Sequence, residues 1–224
     1  RARENAASLL LLTVLPFLLY LGYHSLHSRV QANWPAPLFP AFAMMAAVFV
    51  TSRPASPALW QRLAQAGVVL GLAVAVVVQL HAVWPLTGTF ARKDPTFQLR
   101  GWPEIGREVK DLAEREGAGF VATTSYGLNG QLDFLMKDDL PVFQLTERIR
   151  YVMQPAPDMS LFDGPGLYVA EKRRNREGDL RQSFANVEEV AELTRKVKDV
   201  PLEKLVVYKV EGRIGPVFEP VDPN

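Results

Sequence analysis

The chain has 224 residues, a formal net charge of +1 and no cysteine, which excludes disulfide frameworks, thiolate metal sites and a cysteine nucleophile. Its mean hydropathy of +0.02 averages two unlike parts: residues 1–94 hold seven Lys/Arg against two Asp/Glu, and residues 95–224 hold eighteen against twenty-two. Neither part has the dense positive face that nucleic acid selects, so nucleic acid is not an expected partner.

Three uncharged apolar stretches come first, Ala6–Tyr23, Pro35–Thr51 and Ala64–Trp84. Each approaches the roughly 17–25 apolar residues that a membrane-crossing helix needs. They predict a transmembrane part over residues 1–86 with about three spans. The competing reading, core helices of a soluble protein, would leave almost no polar face to meet water. The first stretch is also a poor secretory signal. It is longer than the usual apolar region of roughly 7–15 residues, and no small-residue cleavage site follows it. The chain opens Arg-Ala-Arg-Glu without Met, so a fragment or processed product is expected.

Arginine placement gives the expected orientation. Arg1 and Arg3 flank the first stretch and Arg53 and Arg62 lie between the second and third, whereas the loop 24–34 has only Arg29. The N-terminus and Ser52–Gln65 are then cytoplasmic, and the loop 24–34 and everything after Trp84 lie on the far side. Trp34, Trp60 and Trp84 fall near the ends of the stretches, as interfacial anchors do. Gln79 and His81 on the third stretch are expected to face a neighbouring helix or the interface.

The loop His24-Ser-Leu-His-Ser-Arg-Val-Gln-Ala-Asn33-Trp34 is richer than a connector. It puts the cation Arg29, the imidazoles of His24 and His27, the amide of Asn33 and the indole of Trp34 at the membrane surface. A guanidinium offers forked donors matched to phosphate oxygens, so the set suits a lipid-linked phosphate. It equally suits a solvated turn with one arginine toward the headgroups. Two histidines with no third ligand nearby do not make a metal site.

Residues 87–98 read as a polar linker and residues 99–224 as a water-soluble α/β domain. A helix is expected from Pro103 at its first turn to Gly117 just past its end, with Ile105, Val109, Leu112 and Ala113 on one face. Gly119–Thr124 reads as a buried strand, Tyr126–Met136 as a helix, Pro141–Leu145 and Gly166–Ala170 as strands, Val187–Lys198 as a helix and Leu205–Val210 as a last strand. Gln154–Pro165, with three prolines and one glycine, reads as an exposed loop. Alternating strands and helices predict a mostly parallel sheet with helices on both faces.

Ligands of such sheets gather beyond the carboxyl ends of the strands. There Thr123, Thr124, Ser125, Tyr126 and Asn129 have the groups to hydrogen-bond a sugar, with Ser125 and Tyr126 the candidate acceptor-side residues. The alternative is a helix N-cap by Thr124 or Ser125 with Tyr126 packed on the domain. Gly127-Leu-Asn-Gly130 lacks the spacing and the lysine of a phosphate loop. Lys172-Arg-Arg-Asn-Arg176 reads as a solvated turn or as a contact for anionic lipid or polysaccharide. Asp138-Asp139 and Glu188-Glu189 are sequence neighbours whose side chains diverge, so neither is an acid/base pair. The three histidines all lie in or beside the apolar part, which leaves no Ser/His/Asp triad.

The run Ser28-Arg-Val-Gln-Ala-Asn-Trp-Pro-Ala-Pro-Leu-Phe-Pro-Ala resembles the late periplasmic loop and following helix of bacterial family 39-type glycosyltransferases. These are polytopic C-type enzymes related to protein O-mannosyltransferases and to aminoarabinose transferases of lipid A. Leu99-Arg-Gly-Trp-Pro-Glu-Ile-Gly-Arg-Glu-Val, followed by Thr124-Ser-Tyr126, is similar to the start of their C-terminal periplasmic domain. The resemblance implies transfer of a sugar from a polyprenyl-phosphate donor to a lipid, glycan or protein acceptor at the outer face of the inner membrane. It implies that Arg29 binds donor phosphate, supported by His24, His27, Asn33 and Trp34. It also implies catalytic acidic residues in a first periplasmic loop, which nothing in this chain matches: the only acidic residue before Asp94 is Glu4. No catalytic residue is therefore assigned, no cofactor is identifiable, and no ligand set for a divalent metal is visible. The alternative is a non-enzymatic, membrane-anchored periplasmic binding or assembly module.

Overall fold

The computed structural model describes residues 2–31, 33–51, 58–84, 94, 96, 99–137, 139–197 and 200–221, and the chain divides into two compact units, 1–84 and 85–224.

In the first unit, α1 covers Ala2–Ser25, a one-turn 3-10 helix covers Ala36–Leu38, α2 covers Phe39–Thr51 and α3 covers Ala58–Val83. Pro35 and Pro37 start the 3-10 turn, where a missing N–H costs nothing. A small apolar cluster of Val14, Leu21, Leu38 and Ala41, with Phe17 and Trp34 packed on it, ties α1 to α2. The helix α3 contains no buried residue, and Val68, Val69, Leu70 and Leu72 are each more than half exposed. An apolar helix with no buried face calls for an apolar surrounding, a bilayer or further protein.

Two helical segments, Ser8–Ser25 and Ala58–Val83, are long and apolar enough to cross a membrane. Of the three expected spans, only these two have the length and composition of a crossing helix. The middle stretch forms a helix of 13 residues, about 20 Å long at 1.5 Å per residue against a hydrocarbon core of about 30 Å. The prolines at 35, 37 and 40 shorten its regular part. Of the expected loop Ser52–Gln65, residues 58–65 are helical and begin α3, which corrects that boundary; residues 52–57 and most of the linker 87–98 lie outside the described residues.

The second unit is a five-stranded sheet in the order β2-β1-β3-β5-β4. Its elements are α4 (Trp102–Glu116), β1 (Val121–Thr123), α5 (Tyr126–Met136), β2 (Val142–Gln144), β3 (Gly166–Glu171), α6 (Glu177–Ser183), β4 (Phe184–Val197) and β5 (Val200–Arg213). Here α4 ends as its sequence predicts: Gly117 adopts a φ of 64° and its N–H reaches the carbonyls of Ala113 and Glu114.

The sheet is mixed, which corrects the mostly parallel expectation. β1 pairs in parallel with β2 and β3, but β5 runs antiparallel to β3 and to β4. The cause is the segment Val187–Lys198, expected as a helix, whose described residues belong to the long strand β4. Its register shifts between Glu189 and Ala191 and again between Arg195 and Lys196. A bulge adds a residue to one strand, so Val187, Val190, Ala191 and Leu193 fall at helix-like spacing although the backbone is extended.

Helical elements lie on both faces, but unequally: α4 and α5 cover one face, while only the short α6, a 3-10 helix and irregular chain cover the other. Ile105, Val109 and Leu112 of α4 and Leu128, Leu132 and Met136 of α5 pack with Val121, Leu167, Val169 and Val207 on one face. The other face carries Ala122, Tyr168, Val206 and Val210, covered by Phe162, Leu180 and Val217. Phe162 sits in a 3-10 helix, Met159–Asp163, inside the segment expected to be only an exposed loop. Its ring packs 4.6 Å from Phe120.

Candidate functional site

The turn after α1 gathers part of the predicted loop. His24 Nε2 lies 2.6 Å from the Ser28 hydroxyl, and the His24 ring packs 5.2 Å from Trp34 and 5.6 Å from Tyr20. His27 turns back on the helix, with Nδ1 3.0 Å from the Tyr23 carbonyl and its ring 4.4 Å from the Tyr23 ring. Asn33 is exposed and its carbonyl accepts the Ala36 N–H at 3.1 Å. Arg29 is exposed and makes no ion pair or side-chain hydrogen bond among the described residues. His24 and Trp34 thus form an aromatic clasp that closes the turn, while Arg29 and Asn33 face outward. Five donors on a free guanidinium can engage an anionic headgroup or phosphate.

The second unit offers a different kind of site. Its three parallel strands end at Thr123, Gln144 and Glu171. Because β1 stands between β2 and β3, the order reverses at β1, which is where open sheets leave a crevice beyond their carboxyl ends. A cleft of about 520 Å³ lies there, lined by Thr124 and Ser125 after β1, Thr146 and Glu147 after β2, Glu171, Arg174, Asn175 and Arg176 at and after β3, and Glu219.

The walls of this cleft are fixed by hydrogen bonds between distant parts of the chain. The Thr146 hydroxyl donates to the Thr124 carbonyl at 3.0 Å, and the Thr124 hydroxyl lies 2.9 Å from that of Tyr168. Burial pushes the Tyr168 phenol above its ordinary pKa, so it stays a neutral partner. Glu147 donates its backbone N–H to Glu219 Oε2 at 2.8 Å and holds a φ of 52°. A non-glycine residue in this left-handed region is uncommon, and such outliers cluster at functional positions.

Ser125 stands at the N-cap position of α5 but makes no side-chain cap hydrogen bond. Its hydroxyl instead donates to Glu171 Oε1 at 2.9 Å, which overturns the capping role for this side chain. Tyr126 is 57% exposed and not packed on the domain; the Arg150 guanidinium sits 4.9 Å from its ring centre. Asn129 is buried, with Nδ2 3.4 Å from the Tyr151 hydroxyl.

A smaller cavity of about 290 Å³ shares Ser125, Glu171 and Arg174 with the cleft and adds Tyr126, Gln131, Trp102 and Arg195. Arg195 is only 1% exposed. It donates to the Arg100 carbonyl at 2.7 Å and to Glu203 Oε2 at 3.3 Å, and its guanidinium lies 4.3 Å from the Trp102 ring centre. Arg173 holds the other Glu203 oxygen at 3.0 Å. Gly101 is required beside it: φ is 71°, and a Cβ there would fall 2.5 Å from the Lys196 carbonyl.

The basic run Lys172–Arg176 is split by the fold. Lys172 pairs with Glu192, Arg173 with Glu203, and Arg176 lies 3.8 Å from Asp179, while Arg174 and Arg176 border the cleft. Asp138 lies outside the described residues, and Asp139 pairs with Lys110 at 2.9 Å. Glu188 and Glu189 are exposed neighbours on β4. Among the described residues no group of three or more His, Asp or Glu side chains is placed to hold a metal ion.

Sequence reading reached Thr124, Ser125, Tyr126 and the run Lys172–Arg176 but missed Glu171, Thr146, Glu147 and Glu219. Glu171 had a signal: it is the first charged residue at the carboxyl end of the buried run Gly166-Leu-Tyr-Val-Ala. Comparison of the chain with protein families, with curated proteins and with solved structures finds no match in any of the three.

Proposed function

We propose that this chain is part of an inner-membrane glycosyltransferase that moves a sugar from a polyprenyl-phosphate donor to a lipid, glycan or protein acceptor on the periplasmic side. Its stretches over 1–84 cross the bilayer three times, the short α2 with its 3-10 turn serving as the middle crossing in a locally thinned bilayer. The loop 24–34 and the second unit then share the outer side. In this reading Arg29 binds the donor phosphate, Asn33 adds donors, and His24 and Trp34 hold the turn at the interface while His27 supports it. Ser125 and Tyr126 act on the acceptor side, by positioning it and not by proton transfer.

The observation that carries the proposal is the exposed Arg29 guanidinium, without an ion pair or side-chain hydrogen bond among the described residues, on a turn clasped by His24 and Trp34 at the end of an apolar helix. The resemblance of Ser28–Ala41 to the enzyme loop adds the donor's identity. The test is sugar transfer from a polyprenyl-phosphate donor by the full-length enzyme of which this chain is proposed to be a part, embedded in membrane. Arg29→Ala is expected to lower transfer by about tenfold or more, the effect of losing hydrogen bonds to a charged group, with membrane insertion unchanged. Equal transfer by the variant rejects the role.

The second reading, a membrane-anchored binding module without transferase activity, is favoured by the cleft at the strand ends. Ligand binding there without any donor turnover selects it.

A further inference from the structure

We infer that the cleft at the carboxyl ends of β1, β2 and β3 is a binding site for an uncharged carbohydrate, with Glu171 as its central acceptor and Tyr126 as its aromatic platform. The inference rests on the proposed function only for the saccharide's identity as the acceptor; binding itself requires no transfer.

The chemistry of the lining selects the ligand. Thr124, Ser125 and Thr146 bring hydroxyls, Glu171 and Glu219 bring carboxylates, and Arg174 brings a guanidinium. Donors and acceptors therefore alternate around one volume, as the vicinal hydroxyls of a sugar require, since each both donates and accepts. The volume of about 520 Å³ falls within the roughly 300–1,000 Å³ of small-molecule sites. Glu171 is buried and borders both cavities. One of its oxygens takes the Ser125 hydroxyl, and the other has no protein hydrogen bond among the described residues. Nearby, the Asn175 side chain donates to the Tyr208 hydroxyl at 2.7 Å, which holds this wall of the cleft in place.

Other ligand classes fit worse. With Glu147 paired to Arg150 and Arg176 facing Asp179, the carboxylates of Glu171 and Glu219 outnumber the one remaining lining guanidinium, Arg174, so a phosphate would meet net repulsion. A cation would need converging carboxylates. Instead, oxygens of Glu171 and Glu219 are committed to Ser125 and to the Glu147 N–H. A wholly apolar ligand would strand the polar lining. Beside the cleft, the exposed Tyr126 ring, steadied by Arg150, offers a flat apolar face for the C–H side of a pyranose ring.

The test titrates the full chain in lipid nanodiscs with mannose, N-acetylglucosamine and maltose, and with inorganic phosphate, by calorimetry and saturation-transfer NMR. Saturable binding of at least one saccharide in the millimolar range is expected. Glu171→Gln is expected to weaken it by about tenfold, Ser125→Ala by roughly threefold and Tyr126→Ala by roughly fivefold. Arg107→Ala, on the outer face of α4 and paired with Glu104, should leave binding unchanged, and unfolding temperatures show whether each variant is folded. Binding of none of the three saccharides overturns the inference. So does binding that Glu171→Gln and Ser125→Ala both leave intact, or displacement of the sugar by phosphate. Arg29→Ala should leave saccharide binding intact, which separates the two proposals: transfer that needs Arg29 without saccharide binding sinks only this one, and saccharide binding without transfer sinks only the enzyme.

Discussion

The two units solve the same problem, where to put apolar side chains, in opposite ways. In residues 1–84 the helix α3 buries none of its side chains. In the second unit Val109, Phe120, Leu132, Leu167 and Val207 are completely enclosed. Charge follows the inverse pattern. The first unit has no charged residue within Ala6–Tyr23 or Ala64–Trp84, whereas the second tolerates Arg195 in its interior by giving it Glu203, the Arg100 carbonyl and the Trp102 face. The contrast teaches that the solvent, not the residue, decides which face of an element turns outward. Apolar helices of crossing length can leave their side chains uncovered by the chain itself, while water makes the core of the second unit and its few polar insertions interdependent.

The strongest way to break the contrast is to strip the interior charge of its partner. Arg195→Met leaves Glu203 buried with only Arg173, and should destabilise the second unit by about 3 kcal/mol, the usual scale for breaking a buried pair. Denaturant unfolding followed by hydrogen exchange in β4 and β5 measures it. Arg195→Met with Glu203→Leu should recover part of the loss, because the uncompensated carboxylate is gone. A single variant as stable as the wild type would show that the pair is ornamental.

The converse experiment puts a charge where the first unit has none. Leu72→Arg, at the middle of α3, is expected to cost about 2.5–3.5 kcal/mol of membrane insertion on a translocon scale, read as the inserted fraction in a glycosylation-reporter assay. Hydrogen exchange in the second unit should not change. Unaltered insertion would mean that α3 does not meet hydrocarbon.

The smallest effect sharpens the comparison at the surface of the second unit. Glu192 is held by Lys172 and by Lys204, the latter at 2.6 Å, which brings its carboxyl pKa down to about 2. A depressed folded-state value means that the pairing stabilises above the ordinary carboxylate range and is lost as pH falls toward 2. The Glu192 carboxyl carbon should titrate in NMR near that value at low salt. It should move back toward the ordinary range in Lys172→Ala and, since exposed pairs are screened, at high salt. An ordinary midpoint in the wild-type protein would remove this contact from the account.

Local order was legible in the residues themselves. The helix α4 announced its start with Pro103 and its end with Gly117; α5 and β3 followed from the spacing of Leu128 and Leu132 and from the unbroken run after Gly166. Two of the three expected crossing-length helices were legible for the same reason: a long stretch of high mean hydropathy needs no tertiary information to interpret. The strand β4 was not legible, because its bulge converts a two-residue period into a three- and four-residue one. At the candidate site, Ser125 and Tyr126 could be proposed from the turn after a strand. Their partners could not, since Glu171 and Arg150 lie 46 and 24 residues away along the chain.

The sequence by itself determined the division into an apolar and a water-soluble part, the turn carrying His24, His27, Arg29, Asn33 and Trp34, and the helices and strands whose period is uninterrupted. Only the tertiary structure decided that the sheet is mixed, that Arg195 is interior, and that the ends of three parallel strands meet around Glu171. Propensity and periodicity act over a few residues, whereas strand order, burial of a charge and the convergence of a cleft depend on contacts between segments tens of residues apart.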